Sequence, residues 1–181
     1  EPPTASETMN IKCLIIQLNQ GNDAILDPKC ITDALNSIGR VMDHRHSHML
    51  MEPLNALRLL VLHDSILSYA ISNPRMNTIV MRVVRDFADL PGECKVAFLR
   101  LLCNYASGPQ GCKMLIADVR AQHWLYVAGA ALLDVDPSIT FHGACLLYNI
   151  TLSTAVLSTN SVENIFNSAH SAHIDNILTV A

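Results

Sequence analysis

The residues in this sequence best suited to binding chemistry are arginines and asparagines that recur in similar segments. The tetrapeptide Leu-Arg-Leu-Leu occupies residues 57–60 and again residues 99–102, so Arg58 and Arg100 are 42 residues apart. Asn104 and Asn149 end the related segments Leu-Leu-Cys-Asn and Leu-Leu-Tyr-Asn, which are 45 residues apart. Guanidinium groups form charge-assisted hydrogen bonds with carboxylates, and side-chain amides bind peptide backbones. The four residues are therefore candidates to point into a binding groove.

Two further residues extend this predicted groove. Lys95 lies five residues before Arg100 and His63 lies five residues after Arg58, so both could lengthen the positive strip. Each type of residue also has a structural alternative. An arginine on an amphipathic helix is often solvated, or paired with a carboxylate of the next helix. A buried asparagine often braces the loop beside it. The sequence leaves both interpretations open.

The best metal candidate is a group of three histidines. His44, His46 and His48 lie within five residues, and His44 and His48 would share one face of a helix. Zinc sites normally gather three or four ligands, and no cysteine pair accompanies these histidines. A polar helix end is therefore the favoured interpretation. We expect neither a metal nor another cofactor.

The best catalytic candidates are His142 and Cys145, because a spacing of three residues can place an imidazole near a thiol. Cys145 stands in an apolar run, however, which favours a buried and inert thiol. His170 and His173 are predicted to lie on the surface of the last helix. The chain contains no Gly-x-Ser-x-Gly, His-Glu-x-x-His or glycine-rich phosphate-binding motif. We expect a non-catalytic chain, with a Cys/His hydrolase as the remote alternative.

A modest basic stripe is formed by Arg75, Arg82 and Arg85 on one predicted helix. Asp86 and Asp89 follow closely and dilute its charge. A solvated face is the favoured interpretation, and a protein-docking surface is the alternative.

Composition limits the classes of protein to which the chain can belong. Half of its 181 residues are hydrophobic and only 5% are aromatic, which favours packed helices over a β-sandwich. The net charge of −4 argues against a nucleic-acid partner. The longest apolar stretch, residues 125–133, is too short to span a membrane. Six cysteines without a Cys-x-x-Cys pair favour a reducing compartment, the cytoplasm first and the nucleus second.

Prolines and polar cap residues divide the sequence into ten segments of helical length. Helices are predicted at 8–20, 28–44, 52–63, 64–72, 75–89, 92–106, 109–117, 120–134, 138–157 and 161–179. Residues 1–8 are predicted to be an N-terminal extension, and residues 9–181 a single domain. The two repeat spacings are those of armadillo and HEAT repeats. The sequence thus predicts an all-α, armadillo/HEAT-like, right-handed helical-repeat solenoid whose recurring helices line a concave surface.

Three segments together carry a resemblance to a known family. They are Pro-Leu-Asn-Ala-Leu-Arg-Leu at 53–59 with His63 following, Ala-Phe-Leu-Arg-Leu-Leu-Cys-Asn-Tyr at 97–105, and Ala-Cys-Leu-Leu-Tyr-Asn-Ile at 144–150. The chain resembles the PUL domain of the phospholipase-activating protein family from about Met9 to Leu157. In that family a later helix ends in Leu-Asn-Tyr-Ser, where this chain has Asn149-Ile150-Thr151. The family continues for one or two further repeats, so we expect this chain to be part of a longer array.

The resemblance implies an armadillo-like domain without catalytic activity. In this family the concave groove binds the C-terminal tail of the valosin-containing AAA+ ATPase, in ubiquitin-dependent protein degradation. Other domains of its members contact ubiquitin-pathway proteins. A generic armadillo or HEAT scaffold for a different protein partner is the alternative.

Overall fold

The computed structural model describes residues 3–19, 26–44 and 50–158. Within these ranges the chain forms nine α-helices, which confirms the predicted all-α class. They are α1 Ala5–Leu18, α2 Pro28–His44, α3 Met51–Leu60, α4 Asp64–Ser72, α5 Pro74–Arg85, α6 Gly92–Tyr105, α7 Pro109–Ile116, α8 Asp118–Leu132 and α9 Pro137–Ser158. A 3₁₀ turn at Phe87–Asp89 joins α5 to α6. None of the described helices is both long and apolar enough to cross a membrane.

Local capping residues fix where α1 and α5 begin. The Glu7 backbone N–H donates to the Thr4 hydroxyl at 3.3 Å, and the Glu7 carboxylate accepts from the Thr4 backbone N–H at 2.7 Å. This capping box starts α1 inside the segment that we predicted as an N-terminal extension. Glu7 also forms an ion pair with Arg40, which ties α1 to α2. At α5, the Asn73 side chain accepts from the two backbone N–H groups that follow Pro74.

From α2 onward, helices that lie three apart along the chain pack against each other. α3 packs on α6 and α6 on α9, α2 packs on α5 and α5 on α8, and α4 packs on α7. α4, α5 and α6 begin at residues 64, 74 and 92, whereas α7, α8 and α9 begin at residues 109, 118 and 137. Each helix of the second group thus begins 44 or 45 residues after its counterpart. The two groups share their order, and the first two helices of each group pack together, α4 on α5 and α7 on α8.

The buried stripes of α6 and α9 have the same 45-residue spacing. Positions i, i+4, i+7 and i+11 lie on one face of a helix. In α6 the buried residues at these positions are Cys94, Phe98, Leu101 and Tyr105. In α9 they are Ile139, Gly143, Leu146 and Ile150. The shorter offset of 42 residues between Arg58 and Arg100 reflects the first part of the chain, where α3 begins 41 residues before α6.

α8 and α9 approach each other closely at Gly143. A Cβ atom added at this position would lie 2.6 Å from Ala131 Cβ and 3.2 Å from the backbone nitrogen of Leu132. Only a residue without a side chain fits between the two helices without a shift. The contact positions the N-terminal half of α9, which carries His142.

Candidate functional site

Three basic side chains come together on the ladder of helices α3, α6 and α9. Arg58 lies in the last turn of α3, Arg100 lies in α6, and His142 lies in the first turns of α9. Each is 42 residues from the next. The structure therefore brings together the two predicted arginines and adds a histidine that we had not assigned to the groove.

His142 is held as a neutral ring by its two neighbours. Arg100 Nε donates a hydrogen bond to His142 Nε2 at 2.8 Å. Because Nε2 accepts, Nδ1 carries the proton and donates to the Ser138 carbonyl oxygen at 2.7 Å. Burial lowers the pKa of His142; the hydrogen bond to Ser138 opposes this, and the charges of Arg100 and Arg58 add to it. The neutral ring orients the Arg100 guanidinium.

Arg58 is partly buried, and its charge is not balanced within the described chain. Among the described residues, its Nε atom is buried and has no hydrogen-bond partner. Burial lowers the pKa of the Arg58 guanidinium, and the positive charge of Arg100 lowers it further. In the part of the chain that the structure describes, neither arginine forms an ion pair. Because the two like charges repel each other, a bound anion would stabilise both.

An open cleft of about 300 Å³ lies beside Arg100. It is bounded by α3, by the N-terminal half of α6 and by the start of α9. Met51 and Val96 give it apolar surface, while Arg100 contributes a positive charge and Glu93 and Asp136 contribute negative ones. This volume is at the lower end of the range of ligand-binding clefts. The cleft therefore offers apolar contact and charges of both signs.

The two predicted asparagines hold helices together. Asn104 Nδ2 donates to the Arg58 carbonyl oxygen at 2.8 Å and so links α6 to the C-terminal end of α3. Asn149 is only 2% exposed, and its side chain lies close enough to the Cys103 thiol to oppose the rise in the pKa of that thiol which burial causes. Both contacts favour the bracing role that the sequence left open. Asn104 contributes to the site indirectly, because it holds Arg58 next to α6.

Lys95 and His63 have no described contact with Arg58 or Arg100. Lys95 Nζ lies 2.9 Å from Asp134 Oδ2, and both side chains are mostly buried. This ion pair joins α6 to the end of α8, and Lys95 does not line the cleft. His63 immediately precedes α4, and its Nδ1 atom is buried without a hydrogen-bond partner among the described residues. The observed contacts of Lys95 are those of a structural residue.

The geometry disfavours His142 as a base for Cys145. Both ring nitrogens are already engaged, one by Arg100 and the other by Ser138. Burial raises the pKa of the Cys145 thiol, so the nucleophilic thiolate is scarce at neutral pH. The pair therefore lacks the arrangement in which a free imidazole nitrogen faces an activated thiol.

The arginines of the basic stripe on α5 form ion pairs within the chain. Arg75 and Arg82 pair with Asp43 at 3.1 and 3.2 Å, and Arg85 pairs with Asp86 at 2.7 Å. Arg82 Nη2 also donates to the Met42 carbonyl oxygen at 2.6 Å, near the C-terminal end of α2. The stripe thus differs from the predicted solvated face, because the carboxylates of Asp43 and Asp86 pair with its three arginines.

The predicted metal candidates largely fall outside the structure. His46, His48, His170, His173 and the side chain of His44 lie outside the described residues. In ranges 3–19, 26–44 and 50–158, no group of three metal-binding side chains comes together.

From the sequence, His142 was a candidate only as a partner of Cys145. The repeat spacing does not mark its place in the groove, because the 45-residue step from α6 to α9 leads from Arg100 to Cys145, one turn beyond His142. The Leu-Arg-Leu-Leu motif does not recur around residue 142, so a search for this motif does not identify His142.

The candidate site is the arginine pair Arg58–Arg100, oriented by His142 and Asn104 and placed beside the cleft. Its chemistry is that of anion binding, because two guanidinium groups supply several donors and a double positive charge. Comparisons of the chain with protein-family models, with curated proteins and with solved structures give no match.

Proposed function

We propose that the chain is a non-catalytic interaction module that binds a carboxylate-bearing segment of a partner protein through Arg58 and Arg100. The partner we propose is the C-terminal tail of the valosin-containing AAA+ ATPase. Such binding would connect the chain to ubiquitin-dependent protein degradation in the cytoplasm and the nucleus, with ubiquitin-pathway proteins contacted by other domains. The resemblance to PUL domains motivates the choice of partner.

One observation carries the proposal: two arginines from neighbouring helices lie together with no carboxylate paired to either among the described residues. Four other arginines of the described helices form ion pairs within the chain, namely Arg40, Arg75, Arg82 and Arg85, whereas Arg120 donates a hydrogen bond to the side chain of Asn77. Leaving two guanidinium groups unpaired and partly buried destabilises the free chain. A partner carboxylate would remove this cost, and that gain would contribute to binding.

We further infer that the helices form an armadillo/HEAT-like solenoid of the PUL type. The packing of helices that lie three apart supports this, as does the step of 44 or 45 residues between corresponding helices. In a solenoid of this kind one set of recurring helices lines the concave surface. The ladder α3–α6–α9 would form that lining, and the arginine pair would face the bound segment.

The charges of the cleft restrict which segment can bind. Glu93 and Asp136 line the same cleft as Arg100, and they would repel an acidic side chain placed next to them. We therefore expect a carboxylate of the partner at Arg58 and Arg100, and a neutral or basic residue near Asp136. The same two carboxylates favour a second candidate function, a generic scaffold for a partner segment that carries both charges.

The direct test is a titration of the full chain against a fluorescent peptide with the tail sequence. A second peptide, in which amides replace the acidic side chains and the C-terminal carboxylate, measures the contribution of the carboxylates. We expect Arg100→Ala to weaken binding of the first peptide about tenfold to a hundredfold, because hydrogen bonds between charged groups contribute about 1.5 to 3 kcal/mol. Arg85→Ala is the matched control. It removes the same charge from an exposed position and should change the affinity less than about twofold.

Two results would contradict the proposal. Equal affinity for the two peptides would show that carboxylates do not contribute, and an equal loss in Arg100→Ala and Arg85→Ala would show that only net charge matters. Binding of a peptide that carries both charges, without binding of the tail peptide, would favour the generic scaffold.

A further inference from the structure

Two hydrogen bonds define how α1 and α2 lie against each other. Asn10 Nδ2 donates to Ser37 Oγ at 3.2 Å. About two turns further along α1, Gln17 Oε1 accepts from the backbone N–H of Asp27, the residue before α2, at 3.1 Å. The order of the contacts is reversed between the two helices, so α1 and α2 are antiparallel. The sides of the helices that carry these contacts face each other.

Cys13 and Cys30 lie on these facing sides, between the two hydrogen bonds. Cys13 is three residues after Asn10 and four before Gln17, which places it on the same side of α1. Cys30 is seven residues before Ser37, about two turns away on the same side of α2. Burial first, and the nearby Cys13 thiol second, raise the pKa of the Cys30 thiol to about 11. The two thiols are therefore neighbours.

This pair differs from the other cysteines in its access to solvent. Cys13 is exposed and Cys30 is half-buried. Cys103 also has a cysteine nearby, Cys145, but the Cys103 thiol is buried. The remaining two cysteines are buried as well: Cys94 and Cys112. An oxidant in solution can therefore reach Cys13 first, and Cys30 lies next to the sulfur that the oxidant would modify.

We propose that Cys13 and Cys30 form a reversible disulfide when the chain meets a disulfide oxidant such as oxidised glutathione. The Cys13 thiolate attacks one sulfur of oxidised glutathione, which forms a mixed disulfide and releases one glutathione thiolate. The Cys30 thiolate then attacks Cys13 Sγ, closes the new disulfide and releases the second glutathione thiolate. The two cysteine protons pass to solvent. Two thiols of the chain are oxidised, and one glutathione disulfide is reduced to two thiols.

The disulfide would fasten α1 to α2. Leu14 is the one buried side chain of α1, all of whose residues the structure describes. A helix held by so little apolar burial detaches easily from its neighbour. A crosslink between residues that are 17 positions apart keeps the two helices together when their other contacts open. The proposal does not depend on what the arginine pair binds.

Tryptic mapping of the full chain tests this link. The chain is incubated natively with oxidised glutathione, free thiols are alkylated, and trypsin is added without reductant. Cleavage after Lys12, Lys29 and Arg40 releases Cys13 in residues 13–29 and Cys30 in residues 30–40. We expect these two peptides to be joined in the monomeric wild type and separated by dithiothreitol. Cys30→Ser should retain glutathione on Cys13, and Cys145→Ser, the matched control, should give the same linked peptides as the wild type.

A mixture of oxidised and reduced glutathione at a fixed ratio measures how strongly the fold favours the disulfide. We expect the ratio of linked to reduced chain to be at least about tenfold higher under native conditions than in urea, because the fold holds the two thiols together. Amide hydrogen exchange in α1 should slow by at least about tenfold on oxidation, because the linked helix detaches less often.

Four results would overturn the proposal. Equal ratios of linked to reduced chain in native buffer and in urea would show that the fold does not bring the thiols together. Glutathione retained on Cys13 of the native wild type, without linked peptides, would show that Cys30 does not reach the mixed disulfide. Linked peptides confined to a covalent dimer would show that the two cysteines belong to different molecules. Unchanged hydrogen exchange of α1 in the linked monomer would show that the disulfide does not fasten this helix.

Discussion

The close approach of α8 and α9 at Gly143 gives a quantitative prediction for Gly143→Ala. The added Cβ would lie 2.6 Å from Ala131 Cβ and 3.2 Å from the Leu132 nitrogen. Both contacts involve atoms fixed to the backbone of α8, so rotation of a side chain cannot relieve them. Overpacking of this kind costs about 1 to 3 kcal/mol, and we expect the upper half of that range. Replacing glycine by alanine within a helix returns about 1 kcal/mol. The expected net loss is therefore about 1 to 2 kcal/mol.

Urea unfolding followed by circular dichroism measures this loss, and Gly92→Ala is the control. A Cβ at Gly92 would meet only ordinary van der Waals contacts, 3.7 Å from Ile139 Cδ1 and 3.9 Å from Asp136 Oδ2. Gly92 is the first residue of α6, so its replacement should change the free energy of unfolding by no more than about 0.5 kcal/mol. The reasoning is refuted if Gly143→Ala is as stable as the wild type, because α8 and α9 would then not pack as described.

Three further predictions concern the polar contacts of the site and its surroundings. The pKa of His142 is lowered in the folded chain. Its contribution to stability is therefore complete above the ordinary histidine pKa of about 6.5 and is lost as the pH drops through the folded-state pKa. The free energy of unfolding, measured from pH 7.5 to 5, should decline less in His142→Gln than in the wild type. Arg82→Ala removes donors to the end of α2 and should cost about 1 to 2 kcal/mol in urea unfolding, whereas a similar loss in Arg85→Ala would count against a specific role. In thiol labelling at pH 8, exposed Cys13 should react well before Cys145, whose pKa is raised by burial, and rapid labelling of Cys145 would reopen the hydrolase alternative.

Helix positions were the most predictable part of the fold, because their signals are local. The predicted helices at 28–44 and 64–72 match α2 and α4 at both ends, since a proline or a polar residue marks each boundary. The start of α1 was predicted three residues late, although Thr4 and Glu7 have the spacing of a capping box. The predicted helix at 75–89 ends as α5 at Arg85 and continues as the turn Phe87–Asp89.

The candidate site was predictable only in part, because side-chain partners depend on contacts between distant segments. The motif identified Arg58 and Arg100, but it gave no indication that Lys95 would pair with Asp134, 39 residues away. Asn104 and Arg100 both belong to α6, yet Asn104 binds the backbone of α3 while Arg100 donates to His142 of α9. Which neighbour each side chain contacts depends on how the helices pack, and the periodicity of one helix does not contain that information.

The central claim is that Arg58 and Arg100 bind one partner carboxylate together, and a double-mutant cycle tests it most directly. Affinities of the tail peptide would be measured for the wild type, Arg58→Ala, Arg100→Ala and the double variant, with helical content checked for each. If both guanidinium groups contact the same carboxylate, the double variant should lose less binding free energy than the sum of the single losses, by about 0.5 to 3 kcal/mol. Strictly additive losses, or a wild-type chain that does not bind the peptide, would contradict the account.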